Sequence, residues 1–388
     1  MEDIDRKADD RIPIWLDCDP GHDDAFAILL ALFHPHIHLL GISTVHGNAS
    51  LARCTTNTHS LLRAFRKESS IPVYPGAAKP FCRDAISAPN IHGVSGLDGT
   101  DLLPKVEVAG GLKGGGAVWG MREAILMEGG GGLRGGGRGR VWIVGTGAMT
   151  NVALLFATYP ELVGEVAGVS FMGGAIGENG EGEGEGEGEL RIGNVTRRAE
   201  FNVYCDPESA SSIFSNPELA AKTILIPLDI THQVLATQKV QDSLLRGGNL
   251  GDYEPSGAST LRQMLHDLLF FFAETYASKF GMTAGPPLHD PVAVAAMLHH
   301  CGVADQLGFH YGQDGGERWE VKVVTEGSHT DGEESGLGAT LARKLSPGKS
   351  GVRIPRTLNV EAFWKVIMNC VTRAEEWVST KAKEEGGR

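Results

Sequence analysis

Short apolar runs alternate along this chain with stretches in which apolar residues recur every third or fourth position, the signatures of buried strands and of helices. Ile14–Leu16 predicts a buried strand. Ala25, Ile28, Leu29 and Leu32 then predict a helix over Asp24–Phe33. A strand over Ile37–Val45 and a helix over Leu51–Arg66 repeat the pair. Further strands are expected at Val141–Val144, Val166–Met172, Thr223–Ile226 and Val321–Val324, with a helix over Asn151–Ala157. Asp206-Pro207-Glu208 reads as a helix start, Asp as N-cap and Pro at the first helical position. Asp290-Pro291 repeats it and opens a helix to about Leu298. Ala258–Phe280 is amphipathic, with Leu261, Leu265, Leu268 and Phe272 on one face, and Val360–Val378 is the last helix expected.

This alternation predicts an α/β fold: a single large domain with a mostly parallel, twisted central sheet and helices on both faces. Ligands of such sheets bind at the carboxyl ends of the strands. Asp17–Asp24, His46–Asn48 and Thr146 each follow a predicted strand, so they are expected to converge on one edge.

Three stretches break the pattern. They are Gly110–Gly116 with Gly129–Gly139, the Glu-Gly tract Glu178–Glu189, and Glu326–Ser350. Their composition predicts flexible surface insertions that bury no apolar surface. The alternation resumes after each, so one domain is expected over 12–380, behind a disordered, charged N-terminus at 1–11. A hydrophobic content of 41% in 388 residues suffices for a sizeable core. The net charge of -13 argues against nucleic acid or an anionic membrane as partner. Six cysteines without a CxxC pair, no signal-like apolar stretch near Met1 and no apolar run of about 18 residues point to a cytoplasmic protein with reduced thiols.

The chemistry is concentrated in a few segments. Asp17-Cys18-Asp19-Pro20-Gly21-His22-Asp23-Asp24 places four carboxylates within eight residues. They repel one another unless a cation or a set of donors neutralises them. A lone Asp before a helix is usually a cap, but one helix start cannot use four carboxylates. Hard cations take oxygen ligands, so the loop suits a metal ion. Asn194 with Glu200, Phe201 and Asn202 offers amide and carboxylate groups that can grip hydroxyls. Leu288-His289-Asp290-Pro291 sets a His beside an Asp; by itself this reads as a plain cap with a neighbouring surface His. Tyr276 and Phe272, one helical turn apart, fit either a ring-binding wall or core packing.

Taken in order, these segments resemble the inosine–uridine preferring nucleoside hydrolases. The resemblance rests on Asp17–Ala25, Gly47-Asn48, His92-Gly93 with Gly96-Leu97, Thr146-Gly147 with Thr150-Asn151, Met172-Gly173-Gly174, Asn194 with Ala199–Asn202, and Pro287–Pro291. It spans about Ile12 to Asn369, the three composition-biased stretches excepted. It implies hydrolysis of the N-glycosidic bond of ribonucleosides, with uridine or inosine preferred, in nucleoside salvage or catabolism. It also implies one Ca²⁺ held by Asp19, Asp24, Asp290 and the Thr146 carbonyl. Asp23, Asn48 and Asn202 would then lie near the ribose 2′- and 3′-hydroxyls, Asn194 and Glu200 at the 5′-hydroxyl, and Met172 and Phe201 along the sugar. His92 would be base-proximal, His289 would protonate the leaving base, and Asp19 would activate water. The resemblance further implies a homodimer or homotetramer, the usual assemblies of the family.

Two rivals compete. A phosphatase of the haloacid dehalogenase type also opens with strand–Asp-x-Asp, but Gly21 stands where Thr or Val is normal, and no phosphate-gripping Lys can be placed. A non-catalytic Ca²⁺- or ribose-binding protein would need neither Asp19 nor His289.

Overall fold

The computed structural model describes residues 11–107, 115–129, 139–177, 192–247, 258–312 and 316–386. Six strands form the central sheet: β1 (Ile12–Cys18), β2 (Ile37–Thr44), β3 (Val73–Pro75), β4 (Trp142–Gly145), β5 (Gly168–Met172) and β6 (Thr223–Ile226). Their order is β3-β2-β1-β4-β5-β6, and every neighbouring pair is parallel. The chain winds outward from β1 to β3, then crosses back to β4 and winds the other way. The reversal leaves a crevice outside the carboxyl ends of β1 and β4, the usual ligand position in open α/β sheets. Asp17 is level with Ser43 on β2 and Gly145 on β4, so the residues that follow these strands leave the sheet at one height.

Helices cover both faces. On one lie α1 (Asp24–Phe33) and α2 (Leu51–Ala64), together with α10 (Gln238–Arg246), α11 (Thr260–Phe280), α12 (Asp290–His300) and α13 (Val360–Gly386). Nine of the ten α1 residues are buried, because α12 and α13 wall it in against the sheet. That enclosure explains its nearly all-apolar sequence. On the other face, α4 (Gly116–Glu128), α5 (Thr150–Thr158) and α7 (Pro207–Ser215) enclose a second apolar cluster around Trp15, Ile143 and Phe171. The short helices α3 (Pro89–His92), α6 (Phe201–Cys205), α8 (Pro217–Lys222) and α9 (Leu228–Thr231) complete the fold.

Two expectations are corrected. Between the two glycine tracts, expected to form one flexible insertion near 110–139, α4 buries Met121 and Ile125. Within the supposed 326–350 insertion, β8 (Thr340–Lys344) pairs antiparallel with β7 (Trp319–Val323), and Leu337, Ala339 and Ala342 in and just before it are buried. The hairpin joins the sheet through Val352, which exchanges hydrogen bonds with Trp319, and Arg353, which does so with β6. Composition misled here because a few apolar residues set among glycine and glutamate suffice for one paired strand. Residues 1–10, most of the two glycine tracts and Glu178–Glu189 lie outside the described residues.

The two Asp-Pro starts also differ. Asp206 caps α7, accepting from the Ser209 N–H at 3.1 Å. Asp290 does not cap α12, and its carboxyl turns toward Asp24 instead.

Candidate active site

The β1–α1 loop, the β2 tip and the start of α12 bring the acidic groups together. One carboxylate oxygen each of Asp23, Asp24 and Asp290 lie within 4.8 Å of one another. Asp24 is fixed on both sides: Oδ2 accepts from the Gly21 N–H and Oδ1 from the Thr146 hydroxyl, each at 2.8 Å. Asp19 falls outside that trio. Its Oδ2 accepts from the Asn48 N–H at 2.7 Å, while its Oδ1, fully buried, has no hydrogen-bond partner among the described residues. Glycines enclose this carboxylate, since a Cβ on Gly147 would lie 2.6 Å from Oδ1 and one on Gly47 only 2.8 Å from Cγ.

Burial raises the pKa of all four carboxyls, and at Asp19, Asp23 and Asp290 the neighbouring carboxylates raise it further. Asp23 is pushed up to about 7. A cluster this acidic is stable only when protons or a cation neutralise it. The orphaned Asp19 oxygen and an all-oxygen donor set fit a hard divalent cation.

A cavity of about 450 Å³ opens above these groups, within the range of small-ligand sites. Every residue to which the family resemblance gave a site role lines it except Asp19 and Asp24, which are held against Asn48 and, for Asp24, Thr146 and Asp290. Glu200 caps α6: its carboxylate accepts from the N–H groups of Gly174, Asn202 and Val203, and burial nonetheless lifts it to about 7. Asn194 Oδ1 accepts from the Phe201 N–H at 2.9 Å, which leaves its amide N–H groups for a ligand. The Asn202 amide donates to the carbonyls of Thr146 and Met172, which leaves its oxygen as an acceptor. These bonds sort the polar wall into donors and acceptors before any ligand arrives.

The far wall carries histidines and aromatic rings. His289 lies between the Thr231 hydroxyl, 2.7 Å from Nδ1, and the Tyr276 hydroxyl, 2.8 Å from Nε2. Burial, then the nearby His232, pulls its pKa well below that of a free imidazole. His289 is therefore not the surface residue that Leu288–Pro291 alone suggested. Tyr276 and Phe272 are both buried and both line the cavity, so packing and wall are one role here.

The sequence left several site residues without a role. Thr231 follows β6, and the rule that sites form at strand carboxyl ends would have found it. His22 was noted only as part of the acidic loop. The 86–91 segment lines the cavity with Ile86 and Asn90 and carries no motif that would have marked it.

Buried carboxylates at the reversal point of a parallel sheet, opening on a cavity walled by amides, histidines and aromatic rings, define the active site of an enzyme built on a doubly wound α/β sheet. The family model for inosine-uridine preferring nucleoside hydrolases matches residues 14–365. The chain is 38% identical over 370 residues to a uridine nucleosidase of Saccharomyces cerevisiae, covering 94% of this chain and 97% of that protein. It is 34% identical over 321 residues to a pyrimidine-specific ribonucleoside hydrolase of Escherichia coli, covering 83% and 87%. A purine-preferring ribonucleoside hydrolase from Gardnerella vaginalis shares the fold, with a TM-score of 0.71 at 22% identity over 93% of this chain and 99% of that one. The chain belongs to the inosine–uridine preferring nucleoside hydrolase family and is an enzyme that hydrolyses N-glycosidic bonds of ribonucleosides. No helix among the described residues is long and apolar enough to cross a membrane.

Proposed function

We propose that this enzyme is a Ca²⁺-dependent ribonucleoside hydrolase that prefers uridine, acting in cytoplasmic nucleoside salvage or catabolism as a homodimer or homotetramer. The observation that carries the reading is the placing of the buried Asp23–Asp24–Asp290 cluster on one side of a nucleoside-sized cavity and the His289–Tyr276 pair on another. The names of the yeast and bacterial relatives favour a pyrimidine substrate.

Asp19, Asp24, Asp290 and the Thr146 carbonyl are the proposed ligands. When bound, Ca²⁺ would orient the ribose diol and acidify water. The remaining work belongs to side chains. Asp23, Asn48 and Asn202 meet the 2′- and 3′-hydroxyls. Asn194 donates to the 5′-oxygen, and Glu200, with a lone pair still open, accepts its hydrogen. Met172 and Phe201 pack the sugar. Asp19 takes a proton from the attacking water as the new C1′–O bond forms and the C1′–N bond breaks. The ribose becomes oxocarbenium-like in that step, and the surrounding carboxylates stabilise it. The departing base gains its proton through His289, which Tyr276 and Thr231 hold in place. His92 lies beside the base.

The test is a panel of ribonucleosides assayed for released free base, with the divalent ion present and after exhaustive removal. Uridine should turn over fastest, and only with the metal. Failure to release base from any nucleoside would sink the substrate reading; undiminished activity after metal removal would sink the Ca²⁺ scheme.

A further inference from the structure

His22 lies in the acidic loop but points away from the carboxylates, into a stack of rings. Its ring centroid is 5.0 Å from that of Phe271, 5.3 Å from His92 and 5.5 Å from Phe272, all nearly parallel. It is 1% exposed. Its Nε2 lies 2.7 Å from the Asp98 carbonyl, and its Nδ1 lies 3.0 Å from His92 Nδ1.

The hydrogens in this chain follow from what each atom can do. A backbone carbonyl only accepts, so His22 Nε2 carries the hydrogen. A neutral imidazole then has a lone pair on Nδ1. His92 Nδ1 must donate into that lone pair, which leaves the lone pair of His92 on Nε2. The opposite arrangement, in which His92 Nδ1 accepts, would suit the His22 backbone N–H at 3.4 Å. It would also require hydrogens on both His22 nitrogens, and so a full charge inside an aromatic stack, which is costly. No described protein group pairs with His92 Nε2, and His92 lines the cavity.

We infer that His22 is a positioning residue that fixes the tautomer of His92, so that His92 Nε2 faces the nucleobase as a hydrogen-bond acceptor and favours bases carrying a lactam or imide N–H. Uracil and hypoxanthine carry such a group. Cytosine and adenine have a bare ring nitrogen at the equivalent place, which would set lone pair against lone pair. A site built to hydrogen-bond one ligand rejects the analogue that leaves its polar atom unpaired. The base preference rests on the nucleoside reading above, whereas the tautomer assignment does not.

Two measurements test it on the full-length, metal-loaded enzyme. Nitrogen-15 spectra of the histidines should show hydrogen on Nε2 of His22 and on Nδ1 of His92. Hydrogen on Nε2 of His92 overturns the inference. The second is the ratio of kcat/KM for uridine over cytidine, expected to exceed one in the native enzyme. In His22→Phe, which keeps a ring in the stack, it should fall roughly three- to tenfold, mainly through KM. A native ratio at or below one, or an unchanged ratio in folded His22→Phe, overturns the inference. No hydrolysis of any nucleoside removes the proposed function and the base preference together. A wrong tautomer beside normal hydrolysis removes the inference alone.

Discussion

Replacing Gly147 by Ala leaves every candidate catalytic side chain unchanged, yet should lower kcat/KM for uridine about 100-fold. Gly147 does not occupy the left-handed backbone region, so Ala fits the main chain. The difficulty is space. The new Cβ would lie 2.6 Å from Asp19 Oδ1, 2.9 Å from Asp19 Cγ and 2.9 Å from Val45 Cγ1. Ordinary contact begins near 3.4 Å, so the carboxylate must retreat by 3.4 − 2.6, or ~0.8 Å. Val45 is fully buried, and the Asn48 N–H holds the other oxygen at 2.7 Å. A catalytic group misplaced by about 1 Å can cost ~100-fold, equivalent to about 2.7 kcal/mol of barrier. The assay is free-base release from uridine, after thermal unfolding has shown an intact fold. Gly164→Ala is the control, because no atom of the described residues lies within 4 Å of its added Cβ. A double variant with Asp19→Asn separates the carboxylate from the adjacent Thr146 carbonyl: if Gly147→Ala acts through Asp19, adding it to Asp19→Asn costs little more. Turnover within about threefold of native in folded Gly147→Ala would refute the placing of Asp19 in the reaction.

Three further outcomes are expected. Chelation should lower Tm and Ca²⁺ should restore it, the ion adding about 2.7 kcal/mol of stability at a hundredfold excess over Kd; a Tm indifferent to Ca²⁺ would remove the carboxylate cluster as its site. Tyr276→Phe loses the 2.8 Å bond to His289 Nε2 but keeps the ring, so kcat on uridine should fall roughly tenfold or more, and far less on an activated nitrophenyl riboside. Equal losses on both would exclude Tyr276 from proton delivery. Burial, then His36 and Arg373, lowers His34 from 6.5 to about 4. Below pH 6.5 the unfolded chain therefore takes up the proton first, and this stability, present above 6.5, drains away as pH falls to about 4, to a limit of about 3 kcal/mol. His34→Gln should flatten the stability curve across that window in denaturant titrations, and an unchanged slope would mean that His34 is not buried neutral.

The sheet-and-helix alternation was legible in the residues alone, because apolar spacing is a local property that burial then uses. Asp24–Phe33 and Thr223–Ile226 were read to the residue. The sequence also marked the acidic loop and the Asn194–Asn202 segment, since so many polar groups in so few residues suit few local structures. What those groups face became visible once the chain was folded. The tertiary structure turned the Asp290 carboxyl away from a capping role and toward Asp24, and tied His289 to Tyr276 and Thr231. It also found order in 326–350, where composition gave no hint. These rest on contacts between residues from 13 to more than 200 positions apart. Strand order brings such residues together, and no local spacing along the chain encodes it.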